Sequence, residues 1–503
     1  MRCYSIVKNQ NSTLYETNEQ EKRPLYDALV AYATSDTHPF DVPGHKMGKG
    51  IHPDFLKLVG PTIFKMDTNS MPILDNLSNP EGVIKEAEKL AATLFQADNA
   101  FFLVNGSTSG IQNMILSSVK PGEKIILPRN IHKSAINGLV LSGALPIYVG
   151  PEIEPVMGIS VGHSAKKMIS AINKHPDAKA ILLLNPTYYG FTSDLSAIIK
   201  HAHKKGLIVL VDESHGTHFY MDSRFGVPSM SCGADMATIS VHKTGGSLTQ
   251  SSLLLHRNGL ISRNKIQSTI NLMQTSSASY LLMASLDIAR HQLATNPALI
   301  NKVFELSTYA RNEIQLIKGY RVMEDNILVN KDAFHHDVSK LLIDVSRLGK
   351  TGNDIFDILK EEFDIQVEVG ESRIVLAIIS VGDTLDSINH LLNALRVISE
   401  RYYSEDPAPI PRRKYFQPDA IKSPRDAFFS ETEYIPIREA EGRIAGDQIM
   451  IYPPGIPLLV PGERISKGII TEYIRLIKQG NKVIGSVNNG SITIRVIKEK
   501  QNE

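Results

Sequence analysis

The chain has no tryptophan, only two cysteines, no excess of charge of either sign and no long apolar run. Missing tryptophan by itself excludes nothing. Cys3 and Cys232 stand far apart and in no metal-ligand spacing, which argues against a disulfide framework and suits a reducing compartment. A formal net charge of +1 leaves no electrostatic footprint for nucleic acid or an anionic membrane. The opening MRCYSIVKNQNSTLYE lacks the apolar core of a signal sequence, and nothing approaches the roughly 18 apolar residues of a spanning helix. A cytoplasmic protein with no nucleic-acid and no membrane partner is expected.

What is present is ordinary in bulk and specific in detail. At 503 residues the chain exceeds one simple core, and its 42% apolar and 21% charged residues are those of a globular protein of two or three domains. From about residue 85 to 245, helical and strand periods alternate. EGVIKEAEKLAATLF puts Val83, Ile84, Ala87, Leu90, Ala91 and Leu94 on one helical stripe. NAFFLVNGSTSG then reads as a strand feeding a Gly/Ser turn, followed by helical IQNMILSSV. Five more short apolar runs follow: EKIILPRN, LPIYV, KAILLLNP, LIVLVDES and MATISVHK. Runs this apolar, without alternation, suit strands buried on both faces, hence a mainly parallel sheet in an α/β domain. Ligands of such sheets sit at the carboxyl ends of the strands, and the polar clusters fall there: Ser107–Gly110, His132, Asn185–Tyr188, Asp212–His218 and His242–Lys243.

Beyond LMASLDIARHQLATNP the texture changes to a smaller α+β pattern, with strands KLLIDVS and SRIVLAII and helices TGNDIFDILKEEF and LDSINHLLNALRVISE. The proline-punctuated EDPAPIPRRKYFQPDAIKSP then separates a last α+β module. The expected organisation is an amino-terminal segment over 1–40, a large domain over 41–300, a small domain over 301–403, a linker over 404–425 and a module over 426–503.

Four features carry chemistry. Asp212 closes a run of apolar residues, where a carboxylate is costly unless paired. It is either a cap or ion-pair partner, or an acid facing a cationic ring nitrogen through a charge-assisted hydrogen bond. Lys243, in ISVHKTGGSLTQ, comes one strand–connection–strand unit later. It is either a solvated turn lysine or an imine-forming one, which needs glycine for close backbone approach and surroundings that disfavour the ammonium. VNGSTSGIQN brings Ser107, Thr108 and Ser109 to a strand-to-helix turn, where amide N–H groups and the helix dipole suit an anion; an N-cap without ligand is the alternative. His132, in RNIHKSAINGL, suits stacking on an aromatic ring or simple capping. His215, His218 and His242 have no further partner at metal-ligand spacing, so no metal site is expected.

Taken in this order, the turn, histidine, strand-end aspartate and lysine resemble the fold-type-I pyridoxal-phosphate enzymes. DVPGHKMGKG, LVNGSTSGIQN, NIHKSAINGLVLSGALPIY, VDESHGTHF, SVHKTGGSLTQ, LMQTSSASYLLMASLD and GRIAGDQIMIYPPGIPLLVPGE are similar to stretches of the bacterial ornithine/lysine/arginine decarboxylases, over about residues 22–480. The longest members carry an amino-terminal wing domain; DVPGHK starting at residue 41 implies the short form.

The resemblance implies a fold-type-I large domain and pyridoxal 5'-phosphate bound covalently by Lys243, with Asp212 on its ring nitrogen and His132 stacked on the ring. It assigns the phosphate to Ser107, Thr108, Ser109, Ser240 and His242, with Thr275 or Ser276 added from a neighbouring subunit of a homodimer or multiple of dimers. His215 would lie close to cofactor and substrate. Asp447 would face the distal cation of the substrate; its other reading is a solvated acid before a strand. A short acid suits a long side chain and pairs well with a guanidinium. The expected reaction is decarboxylation of a basic amino acid, arginine to agmatine and CO₂ for polyamine synthesis, ahead of lysine or ornithine. Two alternatives stand beside it: a fold-type-I aminotransferase using Arg373 for the substrate carboxylate, and a silent regulator, a class that tends to lose the lysine or acid present here.

Overall fold

The computed structural model describes residues 19–323, 335–411, 414–451, 455–478, 483–488 and 492–499. At its centre lie seven strands: β1 (Asn99–Leu103), β2 (Lys124–Pro128), β3 (Leu145–Val149), β4 (Ala180–Leu184), β5 (Ile208–Asp212), β6 (Met236–Ile239) and β7 (Ser252–His256). Their order across the sheet is β1-β7-β6-β5-β4-β2-β3. β7 runs antiparallel to both neighbours, and the pairs from β6 to β3 are parallel.

Side chains alternate across a strand, so a strand apolar at every position must be covered twice. Ile126, Ile181, Leu183, Val209 and Val211 enter one buried cluster. Their neighbours Ile125, Leu127, Leu182 and Leu210 enter another on the opposite face. This accounts for the continuous apolar runs and agrees with the expected mainly parallel sheet. β7 is the strand the sequence reading did not contain. The helix Val83–Leu94 forms as its stripe predicts, burying Ile84, Ala87 and Ala91.

A four-stranded antiparallel sheet follows, in the order Arg321–Val322, Lys340–Asp344, Ile374–Ile378, Val369–Glu371. The helices Gly352–Phe363 and Leu385–Tyr402 accompany it, and each begins with a capping box, on Thr351 and Thr384 respectively. These boxes satisfy two otherwise orphaned amide groups reciprocally.

The carboxy-terminal part holds two three-stranded sheets and the helix Lys467–Lys478 around a core of its own, including Ile449, Leu459, Ile469, Tyr473 and Val496. Tyr452–Pro454 of the expected GRIAGDQIMIYPPG motif lie outside the described residues. This part is fastened to the end of β2 by Arg129, whose guanidinium donates to both Glu463 carboxylate oxygens (Nε to Oε1 3.0 Å, Nη2 to Oε2 2.8 Å) and to the carbonyls of Pro457 and Leu458. Among the described residues, no helix is long and apolar enough to cross a membrane.

Candidate functional site

A cavity of about 580 Å³ opens at the carboxyl ends of the parallel strands. β1 delivers Ser107 and Thr108, β2 delivers Asn130 and His132, and β4 delivers Pro186 and Tyr188. Asp212, Ser214 and His215 arrive from β5, and His242 and Lys243 from the turn after β6. Asp212 pairs with Thr238 of the adjacent β6, so the acid and the lysine leave neighbouring strand ends for the same space. Thr249, Gln250, Glu368 and Ile456 complete the wall.

Each side chain is held for a local reason. Ser107 and Thr108 fall in the first turn of the helix Gly106–Ser118, where unsatisfied amides gather. Lys243 occupies a short helix, Val241–Thr244, rather than the open glycine turn read from the sequence; Gly245 and Gly246 follow it. Asp212, 8% exposed, accepts the Ser214 amide (3.1 Å) and hydroxyl (2.6 Å) on Oδ1, leaving Oδ2 without a described partner. His132 caps the helix Lys133–Ser142 by accepting the Ser134 amide on Nδ1 (3.2 Å), so its Nε2 edge stays available.

Burial governs the electrostatics. It lowers the Lys243 pKa against the pull of Asp212 and Glu368, moving the amine toward the neutral, nucleophilic form. Burial also brings His132 to about 4, with Asp212 opposing and Lys243 adding, so the ring is neutral at physiological pH. His215 is held well below its ordinary range by burial and then by Lys243 and Lys340. His242 donates from Nδ1 to the Ser251 carbonyl (2.8 Å), and burial lowers its pKa. Its Nε2 is therefore bare in the neutral ring and can serve an anion only as an imidazolium.

The structure thus brings together Ser107, Thr108, His132, Asp212, His215, His242 and Lys243. It places the other expected residues elsewhere. Ser109 is buried and donates to the Gly106 carbonyl (2.8 Å). The Ser240 hydroxyl is buried with no hydrogen-bond partner, outside the cavity lining. Thr275 and Ser276 lie exposed on the loop after the helix Arg263–Met273. Asp447 lines a different cleft with Asn137 and Phe428, its carboxylate 3.6 Å from Arg495. Arg373, the aminotransferase candidate, lies in a third cleft against Asp344 (3.9 Å) and Ser346 (2.6 Å).

Sequence reasoning missed Glu368, Asn130, Gln250 and Lys340. Only Lys340 leaves a trace in the sequence, as a cation directly before the apolar run Leu341–Ile343. Among the described residues, no group of histidines, cysteines and acids is placed to hold a metal ion.

Comparison with known proteins gives a consistent outcome. Residues 23–387 match the model of the Orn/Lys/Arg decarboxylase major domain, and residues 414–485 that of its C-terminal domain. An arginine decarboxylase of Halalkalibacterium halodurans is 42% identical over 487 residues, covering 96% of this chain and 99% of the relative. One of Bacillus subtilis is 40% identical over 486 residues, with the same coverage. Among solved structures, a lysine decarboxylase of Francisella novicida superposes with a TM-score of 0.84 at 22% identity, over 97% of this chain and 83% of that one.

Proposed function

The chain belongs to the Orn/Lys/Arg decarboxylase family, and on that premise we propose that it converts L-arginine to agmatine and CO₂ with pyridoxal 5'-phosphate, supplying a polyamine precursor. The observation that carries this reading is the convergence of Lys243, Asp212, His132 and a serine/threonine helix start on one cavity. The residues present fit the cofactor. Oδ2 of Asp212 and the buried Oδ1 of Asn130 are acceptors left without described partners around that space. Lys243 is half-buried and its pKa is lowered by that burial, as suits an amine that must attack an aldehyde.

Lys243 would hold the aldehyde carbon and Asp212 the ring nitrogen, with His132 flat against the ring. Ser107 and Thr108, with the amides of the helix start, would take the phosphate, and His242 would join them once charged by that dianion. When bound, the cofactor supplies the electron sink that lets the α-carboxylate leave as CO₂. The protein's own part is orientation, placement of charge and exclusion of water. Lys243, returned to the ammonium form, or a nearby histidine would hand a proton to the α-carbon.

Substrate choice is the finer question. Asp212 and Glu368 are the carboxylates among the described lining residues. Asp212 sits at the strand end, whereas Glu368 is exposed at the mouth and accepts from the Tyr188 hydroxyl (2.8 Å). A side chain extended from the ring toward the mouth would meet Glu368, and a carboxylate there pairs well with a guanidinium. Thr275, Ser276 and Asp447 could serve a cavity only across a contact with a second copy of the chain, so a homodimer is part of the proposal. The deciding experiment is a product assay with arginine, lysine and ornithine side by side. Agmatine and CO₂ with the highest kcat/KM are expected from arginine; cadaverine as the favoured product, or a keto acid without CO₂, would overturn the reading.

A further inference from the structure

His215 stands between two lysines. Its Nε2 lies 3.0 Å from Lys243 Nζ, and its Nδ1 lies 2.8 Å from Lys340 Nζ. A neutral imidazole has one N–H and one bare nitrogen, whereas an ammonium can only donate. Two ammonium groups therefore cannot both bond to this ring. An imidazolium is disfavoured as well, because burial and the surrounding Lys243, Lys340, His132 and His218 hold His215 well below its usual range. The line Lys340–His215–Lys243 thus has room for one ammonium, with the other lysine a free amine.

Lys340 is built in, not stranded. It opens the strand Lys340–Asp344 with 0% exposure, and lysines are almost never so buried without a partner. It passes Gly190, where φ is +95° and an added Cβ would lie 2.7 Å from Lys340 Cγ; only glycine tolerates both. Asp337, wholly buried, bonds to His218 (3.0 Å) and to the Ser339 amide (2.9 Å) and hydroxyl (2.7 Å), and its charge acts on Lys340. Burial lowers Lys340 to about 8, opposed by Asp337 and Glu368 and reinforced by Lys243. Lys243 is lowered too, opposed by Asp212 and Glu368. Two amines, each of depressed basicity, flank one neutral ring.

We propose that Lys340, acting through His215, is the proton partner of Lys243: one proton is shared along the three side chains, and its position decides whether Lys243 is a nucleophile or an acid. In the transfer, an N–H bond at Lys243 breaks as one forms at His215 Nε2. The N–H bond at Nδ1 breaks as one forms at Lys340. The ring ends neutral with its tautomer exchanged, and the positive charge has moved from Lys243 to Lys340. The free amine left behind can capture an aldehyde with loss of one water; the reverse transfer restores the ammonium. Lys340 contacts neither substrate nor cofactor in this scheme and is a positioning residue.

The idea rests on the pyridoxal-phosphate reading, and its test separates the two. Cofactor-free, full-length protein is mixed with pyridoxal phosphate across a range of pH. The capture rate is followed by absorbance, and the adduct is fixed with borohydride and mapped to Lys243. Lys340→Met is expected to raise the midpoint of the pH–rate curve by about one unit, slowing capture at neutral pH roughly tenfold while sparing the alkaline plateau. Lys340→Arg, whose guanidinium only donates, is expected to lower the midpoint. A purely structural role would depress the plateau in both and could not produce opposite shifts. In a His215→Phe background, neither change at residue 340 should move the midpoint further. A wild-type midpoint in Lys340→Met, or shifts that persist undiminished in His215→Phe, would overturn the relay. Absence of any fixed adduct in the wild type would instead overturn the cofactor reading.

Discussion

Arg129 offers the most direct measurement of what holds the cavity wall in place. The guanidinium is 5% exposed and Glu463 is 1% exposed, and the pair is bidentate. Arg129→Met removes the cation and leaves the carboxylate buried, together with the carbonyls of Pro457 and Leu458. Breaking a buried pair from one side costs about 3–5 kcal/mol, against about 0–1 kcal/mol for an exposed pair. The Glu463 pKa is already raised by burial, and Arg129 is the first force opposing that rise. In the variant, the protonated carboxyl is favoured in the folded state, so the loss should shrink as pH falls through the raised folded pKa toward the unfolded value. Adding Glu463→Gln removes the stranded charge, and the double variant should lose less than the sum of the singles by at least about 1.5 kcal/mol. Urea unfolding at neutral and mildly acidic pH provides the assay. Because Asn130 and Ile456 flank this anchor and line the cavity, kcat/KM should fall with stability. A loss under about 1 kcal/mol, or strictly additive losses, would refute the claim that this pair bears on the wall.

Three further outcomes are expected at the site. Lys243→Ala should fold, as melting and circular dichroism would report, yet give no borohydride-fixed adduct and no turnover. Asp212→Asn should keep part of its cofactor affinity but lose at least about a hundredfold in kcat, since on the proposed pairing the ring nitrogen would lose a charge-assisted bond worth roughly 1.5–3 kcal/mol and with it the electron sink; a wild-type rate would exclude the pairing. Glu368→Gln should raise KM for arginine about tenfold, roughly one lost charged contact, while leaving aldehyde capture at Lys243 present. An unchanged KM would remove Glu368 from substrate recognition.

How much of this could be read in advance differs from residue to residue. The strand-end positions of Asp212 and Lys243 were legible because strands buried on both faces leave continuous apolar runs, and the polar residue that ends such a run stands out. The same signal located His132 and the Ser107–Thr108 turn. β7 was passed over because it is an antiparallel strand entering directly from the loop after Lys243, with no helical stretch to announce it. Ser109 and Ser240 share their neighbours' sequence context but stand outside the cavity lining, since adjacent residues in a helix or strand point in different directions.

The sequence by itself determined the parallel sheet, the order of the chemical residues along it and the edge at which they meet, because burial on two faces writes a periodic, local pattern. Only the tertiary structure decided which residues share one cavity. Lys340 reaches His215 from another sheet past Gly190, Glu368 joins the cavity wall, and Asp447 and Arg373 fall into separate clefts. Those placements depend on contacts between residues distant in the chain, and distance in the chain leaves no period to read.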